Sequence, residues 1–393
     1  MNLGVDSVNA AVVAIDLHRG HLDPAVATML IGDLLANTGL AVAEYVKGNG
    51  TPYFIPIIAA DDLTQRKRIP NVVRIAGYSA SMNPRPLADW LFKKKGIRKV
   101  VTVSQDYTFG HEQCGGFVQV FSNLGGQVLA QYWHPLNTQD FSPYLAQIQE
   151  AKPDIVYAME TGADGTRFIQ QYDNFGLKGK IPLSGSMNLT DQSIIRTLGD
   201  EADGILSAAH FCEGADAPAT KKFVADYEKA FNHLPSLYGF SMYSGAMWLA
   251  EAIKGVNGKV EDRAAFLAAV RKVVLSNSPL GRPVRLDDYG QPIYDVYIRE
   301  VKKRADGKHW NTPIEVYPNV SQFWTYNPEE YMAWIAKGFG VEGEVANSPT
   351  ELRAALARAK RASLDGKPYL IDAQTARVGV AWAEKPWVPT VKR

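Results

Sequence analysis

Cysteine is scarce in this 393-residue chain: Cys114 and Cys212 are the only two, and they lie far apart. A scaffold stapled by disulfides is therefore excluded, and two separate buried thiols are expected. An excess of one charge is also lacking. With 42 Lys and Arg against 41 Asp and Glu, the net charge is +1, too little to attract nucleic acid or an anionic surface. The short basic runs Arg66–Arg68 and Lys93–Lys95 read as solvated helix faces. Long apolar runs are missing as well. The longest in the first 37 residues, Ala10–Ile15, is too short for a membrane span or for the core of a secretion signal. The chain contains no GxSxG elbow, no HExxH pair and no Walker loop, so no catalytic residue is assigned from motifs. His18 and His21 are spaced i,i+3 without a third ligand nearby. His111, His134, His210, His233 and His309 are scattered, so no metal site and no cofactor are expected.

What is present is a repeated strand–turn–helix unit. In RKVVTVSQDYTFG (98–110), Val100, Val101 and Val103 mark a buried strand that stops at a turn carrying Tyr107, Phe109 and Gly110. A helix follows from about His111. The next segment reads as a helix, a Gly125–Gly126 stop and a strand. Then come a strand over Ile155–Met159, a glycine-containing turn, a helix over about Gly165–Phe175, and a strand over Ile181–Leu183 ending in small residues at Gly185 and Ser186. Strands alternating with helices of this length indicate βαβ units and a parallel sheet. In such sheets ligands bind where strands give way to helices at their carboxyl ends. A turn offering a phenol, a ring and backbone N–H groups suits a small amphipathic ligand better than a phosphate, and no second glycine is spaced for a dinucleotide loop. A hydrophobic fraction of 46% and a charged fraction of 21% describe an ordinary globular protein, and the length favours two domains.

From about Ala41 to Met332 the chain resembles a type I periplasmic solute-binding protein, of the branch that includes leucine/isoleucine/valine-binding proteins of ABC transporters. The segments that carry the resemblance are TPYFIPIIAADDLTQ (51–65), PNVVRIAGYSAS (70–81), RKVVTVSQDYTFGHEQ (98–113), DIVYAMETGADG (154–165), IPLSGSMNLTD (181–191), YSGAMWLAEAI (243–253), LGRPVRLDDYGQPIYDVYIREV (280–301) and YPNVSQFWTYNPEEY (317–331). They stand in family order at family spacing. The resemblance implies an α/β fold of two lobes with doubly wound parallel sheets, joined by crossing strands that act as a hinge, with the ligand in the cleft. Lobe one would hold 38–96 and 213–280, and lobe two 97–212 and 281–332. It implies a non-catalytic protein that binds a small amino acid or an aromatic or aliphatic carboxylate and delivers it to an ABC transporter permease in the periplasm. The signal-less N-terminus leaves a cytoplasmic, ligand-sensing role as an alternative.

By the same resemblance the first-lobe wall of the cleft is Ile57, Ile58, Ala59, Ala60 and Asp61, with Tyr78, Ser79 and Ser81 beside it. The second-lobe wall is Tyr107, Phe109, Thr161, Gly162, Ser186 and Met187. Ile57 and Ile58 read equally well as sheet core. The loop 57–61 lacks the hydroxyl expected of an amino-acid binder. Ser186 and Met187 stand where leucine-type binders carry an acid for the ligand ammonium, and Glu160 nearby is expected to orient a backbone group. This moves the expectation from amino acids toward aromatic or short-chain carboxylates.

Both ends differ from that family. Residues 1–37, with AAVVAID leading into LHRGHLDP, resemble the opening of isochorismatase-like cysteine hydrolases, with Asp16 at the family's strand-end acid. The matching Lys and Cys are absent, so an amidase remnant is the alternative activity. The resemblance implies that lobe one is truncated at its start, with Ala10–Ile15 filling one strand position. Residues 333–393 resemble the end of the pyrophosphate-binding domain of thiamine-diphosphate enzymes of the acetolactate synthase type. The cofactor motif itself is missing there. Ser348 reads as an N-cap with Glu351 at the capping-box position, followed by a helix and a strand over Pro368–Ile371.

Overall fold

The computed structural model describes residues 29–328 except 33, together with 331, 342–346, 348–364 and 369–373. The chain divides into two units, Met1–Trp324 and Thr325–Arg393.

Besides a short two-stranded ladder, the described residues of the first unit form two sheets. The smaller is parallel, of order β1-β2-β3, built from β1 (Leu30–Ile31), β2 (Tyr53–Ile55) and β3 (Val72–Arg74). Helix α1 (Ala36–Asn49) links β1 to β2 and stops at Gly50, whose φ of 70° closes the last turn. The expected filler strand Ala10–Ile15, like Asp16, His18 and His21, lies outside the described residues. Within them, β1 is the strand beside β2.

The larger sheet has seven strands. These are β4 (Lys99–Gln105), β5 (Gln127–His134), β6 (Ile155–Met159), β7 (Leu183–Gly185), β8 (Leu206–Ala209), β11 (Tyr294–Lys303) and β12 (His309–Val320). Their order is β12-β11-β8-β7-β6-β4-β5, with β4 to β8 parallel and β11 antiparallel to both neighbours. The sheet is thus mixed rather than wholly parallel. Helices α2 (Pro84–Lys93), α3 (Thr108–Asn123), α4 (Ser142–Ala151), α5 (Gly162–Asn174) and the single turn α6 (Gln192–Ile195) accompany it. Six of the seven residues of β4 are buried, as a strand covered on both faces requires. Alternation sorts its side chains. Val101 and Val103 pack with Val156, Leu145 and Phe168 on one face. Val100 packs with Ile155, Phe117 and Phe121 on the other, in a cluster that continues into the smaller lobe. Helix α2 packs on α3 and touches β8 and β11, so it belongs with the larger sheet by packing although its sequence adjoins the smaller.

Helices α7 (Pro218–Phe231), α8 (Leu237–Gly255) and α9 (Arg263–Lys272) follow, then a short antiparallel ladder of β9 (Val274–Leu275) and β10 (Val284–Arg285). Phe54 of β2 meets Phe266 of α9 edge-on at 5.7 Å, and Trp248 of α8 donates to the Val270 carbonyl at 3.0 Å. These contacts tie the late helices to the early small sheet. Cys114 and Cys212 are both buried and free.

In the second unit, β13 (Glu342–Ala346) and β14 (Tyr369–Ala373) pair in parallel around α10 (Pro349–Leu364). Ser348 Oγ accepts the Glu351 N–H at 3.2 Å, the capping bond the sequence predicts. Among the described residues no helix is long and apolar enough to cross a membrane.

Candidate functional site

After β4 the chain moves to β5 on one side, then returns to β6 on the other. The connections leaving β4 and β6 therefore diverge, and a crevice opens at their carboxyl ends. Tyr107 and Thr161 sit there, extended, as the residues before α3 and α5. Neither caps its helix with its own side chain. The Thr161 hydroxyl instead donates to Gln105 Oε1 at 2.8 Å, joining the two loops. Two helix N-termini, of 16 and 13 residues, thus carry no cap from these residues and offer partial positive charge. The close approach of α3 to β4 requires Gly110, because a Cβ there would collide with the Gln105 carbonyl.

The facing lobe contributes two loops. Arg74, fully buried in β3, donates to the carbonyls of Ile58 at 3.0 Å and Ala60 at 2.7 Å and to Thr64 Oγ1 at 2.7 Å. Burial lowers its pKa to about 10, still far above neutrality. The Asp61 carboxylate accepts from Ser79 Oγ and from the Ser81 N–H, and Ser79 also accepts from Gln65. Asp61 and Ser79 thus spend their polar groups on shaping the 57–61 and 78–83 loops. Ile58 is core: a Cβ at Gly39 of α1 would strike it.

The two lobes touch in this structure. The Asp61 N–H donates to Glu112 Oε1 at 3.1 Å, Thr108 Oγ1 to Asn37 Oδ1 at 2.9 Å, and Asn83 Nδ2 to Met187 Sδ at 3.2 Å. The Tyr78 hydroxyl lies 3.5 Å from Asn188 Oδ1, and Asn188 Nδ2 donates to the Tyr238 hydroxyl at 2.9 Å. Rings run in series through the contact. Tyr107 and Phe109 are 6.1 Å apart, Phe109 and Tyr78 6.4 Å, Tyr78 and His210 5.3 Å, and His210 and Tyr294 4.5 Å. Burial pushes the Tyr107 phenol up to about 12 and also raises Tyr78. Both stay protonated donors at neutral pH.

Of the residues the sequence assigns to the walls, Ala59, Ala60, Tyr78, Tyr107, Phe109 and Met187 share one apolar cluster. Ser186 is buried and its Oγ accepts the Leu189 N–H at 3.3 Å. Gly162 is exposed at a φ of 57°. Glu160 does not orient a backbone group, as the sequence reading expects: it holds the His134 ring, with Oε1 2.8 Å from Nε2. Sequence reasoning missed Asn83, Glu112, Asn188, His210 and Tyr238. Three of these lie within two residues of a wall position or inside a recognised segment, so the signal was adjacency in sequence. His210 and Tyr238 had none.

His134, Glu160 and Asp164 have ligand atoms within 4.8 Å of one another. Asp164 is already committed to Gln105 Nε2 at 2.6 Å, the Asn137 N–H at 2.8 Å and Arg167. Burial pushes the Glu160 carboxyl up to about 7, and although burial lowers His134, its bond to Glu160 raises it overall. The pair links the end of β5 to the residue after β6.

The sequence model of the family described as periplasmic binding protein matches residues 6–308, beginning well before Ala41. The chain belongs to this family. Among curated relatives it is 30% identical over 315 residues to Leu/Ile/Val-binding protein homolog 6 of Brucella melitensis, covering 75% of this chain and 78% of that one. Two solved structures have similar folds. A solute-binding protein of an ABC transporter from R. palustris in complex with benzoate gives a TM-score of 0.71 at 28% identity, over 80% of this chain and 85% of that one. Another, from Rhodopseudomonas palustris BisB5 in complex with 3,4-dihydroxy benzoic acid, gives 0.70 at 26% identity, over 80% and 82%. The two-lobe fold is that of the periplasmic binding proteins, and members of this family bind solutes rather than convert them. The resemblances to isochorismatase-like and thiamine-diphosphate enzymes find no counterpart in these matches.

Proposed function

We propose that this protein is the solute-binding component of an ABC-type importer and takes an aromatic carboxylate between its lobes. The observation that carries this reading is the series Tyr107–Phe109–Tyr78 beside two helix N-termini that lack side-chain caps. The rings suit a flat apolar body; the N-termini suit a carboxylate. The acids nearby are engaged elsewhere: Asp61 with Ser79 and Ser81, Glu160 with His134, and Asp191 with Ser193 and Leu237. Each of these three is thus held by groups of the protein itself, Asp191 through both of its oxygens. The ligand wall is Ala59, Ala60, Tyr78, Tyr107, Phe109, Thr161, Ser186 and Met187, while Asp61 and Ser79 support it from behind. The benzoate and dihydroxybenzoate complexes of the two solved relatives support the same class.

One observation favours a second reading. Glu112 Oε2 is buried without a partner, and as a carboxylate it could receive the ammonium of a branched-chain amino acid. Titration calorimetry of the full chain with benzoate and with leucine separates the two. Binding of leucine with no heat from benzoate would replace the first reading by the second. The partner on this reading is a membrane permease, and the working location is the periplasm. Fractionation that finds the chain in the cytoplasm with binding intact would make it a ligand sensor instead. The unit over 342–373 is read as a packing module without thiamine chemistry.

A further inference from the structure

At the far end of the ring series lies a pair of polar side chains, each with one atom that no neighbour among the described residues satisfies. Asn83 stands in the loop before α2, and His210 where the chain leaves β8. Asn83 Nδ2 is 3.5 Å from His210 Nδ1 and 3.2 Å from Met187 Sδ. The His210 ring lies between Tyr78 and Tyr294. Both residues are almost wholly buried. Asn83 Oδ1 and His210 Nε2 nevertheless have no hydrogen-bond partner among the described residues. Buried polar atoms are nearly always satisfied, so such an orphan points to a group that binds there.

The chemistry of that group follows from the contact between the two side chains. If Asn83 Nδ2 donates to Nδ1, then Nδ1 carries no proton and Nε2–H is the free donor, with Asn83 Oδ1 the free acceptor. If the amide is turned over, Nδ1–H donates to Oδ1, Nε2 becomes the free acceptor, and the amide N–H the free donor. Either arrangement leaves one donor and one acceptor. Each lies two bonds from an atom of the 3.5 Å contact. A hydroxyl both donates and accepts; a carboxylate or an ammonium does only one. Burial, with Arg299 nearby, pushes His210 down to about 3, so the ring is uncharged and offers no counter-ion.

We propose that Asn83 and His210 form a hydroxyl-selecting subsite of the cleft, so that this protein prefers a ring-hydroxylated aromatic carboxylate to the unsubstituted acid. The inference rests on the aromatic-carboxylate reading. It adds two specificity-determining residues, reached through Tyr78 and Met187.

The test is calorimetric titration of the full chain with benzoate, 3-hydroxybenzoate and 4-hydroxybenzoate, in the wild type, His210→Phe and Asn83→Leu. One hydroxybenzoate should bind about tenfold tighter than benzoate to the wild type, the scale of a buried hydrogen bond made or lost. In His210→Phe that ratio should fall toward one while benzoate affinity stays within severalfold, and His210→Gln, which restores a polar group, should recover part of the ratio. The ratio should not vary between about pH 5 and 8, because an ordinary histidine would change charge in that range and this one does not. Asn83→Leu carries the test if the His210 variants do not fold, as judged by thermal melting. A wild-type ratio near one, or a ratio that neither substitution moves, overturns the subsite and leaves the aromatic reading standing; the pair then holds water. Leucine binding with no aromatic acid bound overturns the reading and the subsite together.

Discussion

The two lobes reach order by different means. The larger has seven strands of up to 12 residues, helices on both faces, and apolar clusters above and below. The smaller has three strands of two or three residues and leans on a buried cation. Arg74 joins β3 to Ile58, Ala60, Thr64 and Gln291, and Gln322 carries the network on by bonding Thr64 and Asp287. Short strands fix few backbone groups, so loops must be held by side chains. That would serve a binding protein: the loops held by Arg74 are those proposed to line the cleft, and a polar network has discrete arrangements where a long sheet has one.

The difference can be broken most sharply at Arg74. Arg74→Met should leave several buried acceptors without a donor and cost about 3–5 kcal/mol, the scale for removing one member of a buried charged network. Urea unfolding followed by tryptophan fluorescence measures this, and a loss below about 1 kcal/mol would show that the small sheet holds itself. Phe117→Ala, in the stacked rings Phe117, Phe121 and Tyr157 of the larger lobe, should cost a similar amount through a cavity. Its effect should fall on the larger lobe. Hydrogen exchange sharpens the same point. Amides over 53–74 should be less protected than those over 99–159, because local opening of short, loop-bounded strands disrupts fewer contacts. Equal protection would mean that the lobes unfold as one unit.

A smaller effect is expected in the cleft. Tyr107→Ala should weaken binding of an aromatic acid by on the order of 1–3 kcal/mol, as loss of a partly buried ring does, read by calorimetry. If affinity is unchanged while Tyr78→Ala abolishes it, the ligand sits against the smaller lobe and the larger lobe only closes over it.

The larger lobe was the more legible half in sequence, for the same reason that it is the more regular. The strand expected over Ile155–Met159 has those bounds, and the Gly125–Gly126 stop falls between the end of α3 at Asn123 and the start of β5 at Gln127. Long strands and helices impose a period that composition displays. β1 spans two residues and has no period to display, so the sequence reading assigns no strand at Leu30–Ile31. The loops proposed as walls of the cleft were marked in sequence by adjacency to strand ends. The fate of their polar groups was not. Asp61 and Ser79 look like ligand contacts in sequence and bond to each other in space, while His210 reads as a scattered histidine and lies in a stack of rings. Such roles depend on partners outside the local segment, 18 residues away for Asp61 and Ser79 and 127 for His210 and Asn83.

The smallest expected effect lies where the lobes meet, at Glu112. Its Oε1 takes the Asp61 N–H from the opposite lobe, and its Oε2 is buried without a partner. The charged groups that face it are the carboxylates of Asp61 and Asp62 on the 61–63 turn and the Arg74 guanidinium on β3. Burial on closure, reinforced by the Asp61 carboxylate, raises the Glu112 carboxyl well above its ordinary 4.5, with the Asp61 N–H and Arg74 opposing. When the lobes part, the group meets water and returns to its ordinary value. A raised pKa in the closed form means that closure takes up a proton. Closure is then fully supported below about pH 4.5, where Glu112 is protonated in both forms, and loses that support as pH rises from there through the raised value. Ligand affinity, which depends on closure, should fall over that window in the wild type. Glu112→Gln keeps a carbonyl oxygen for the Asp61 N–H and cannot ionise, so its affinity should be flatter with pH and higher than wild type at neutral pH. Calorimetry at several pH values, repeated in buffers of different ionisation enthalpy, counts the proton directly. If wild type and Glu112→Gln show the same profile and the same proton uptake, the contact between the lobes is a neutral hydrogen bond, and the contrast between them is one of packing alone.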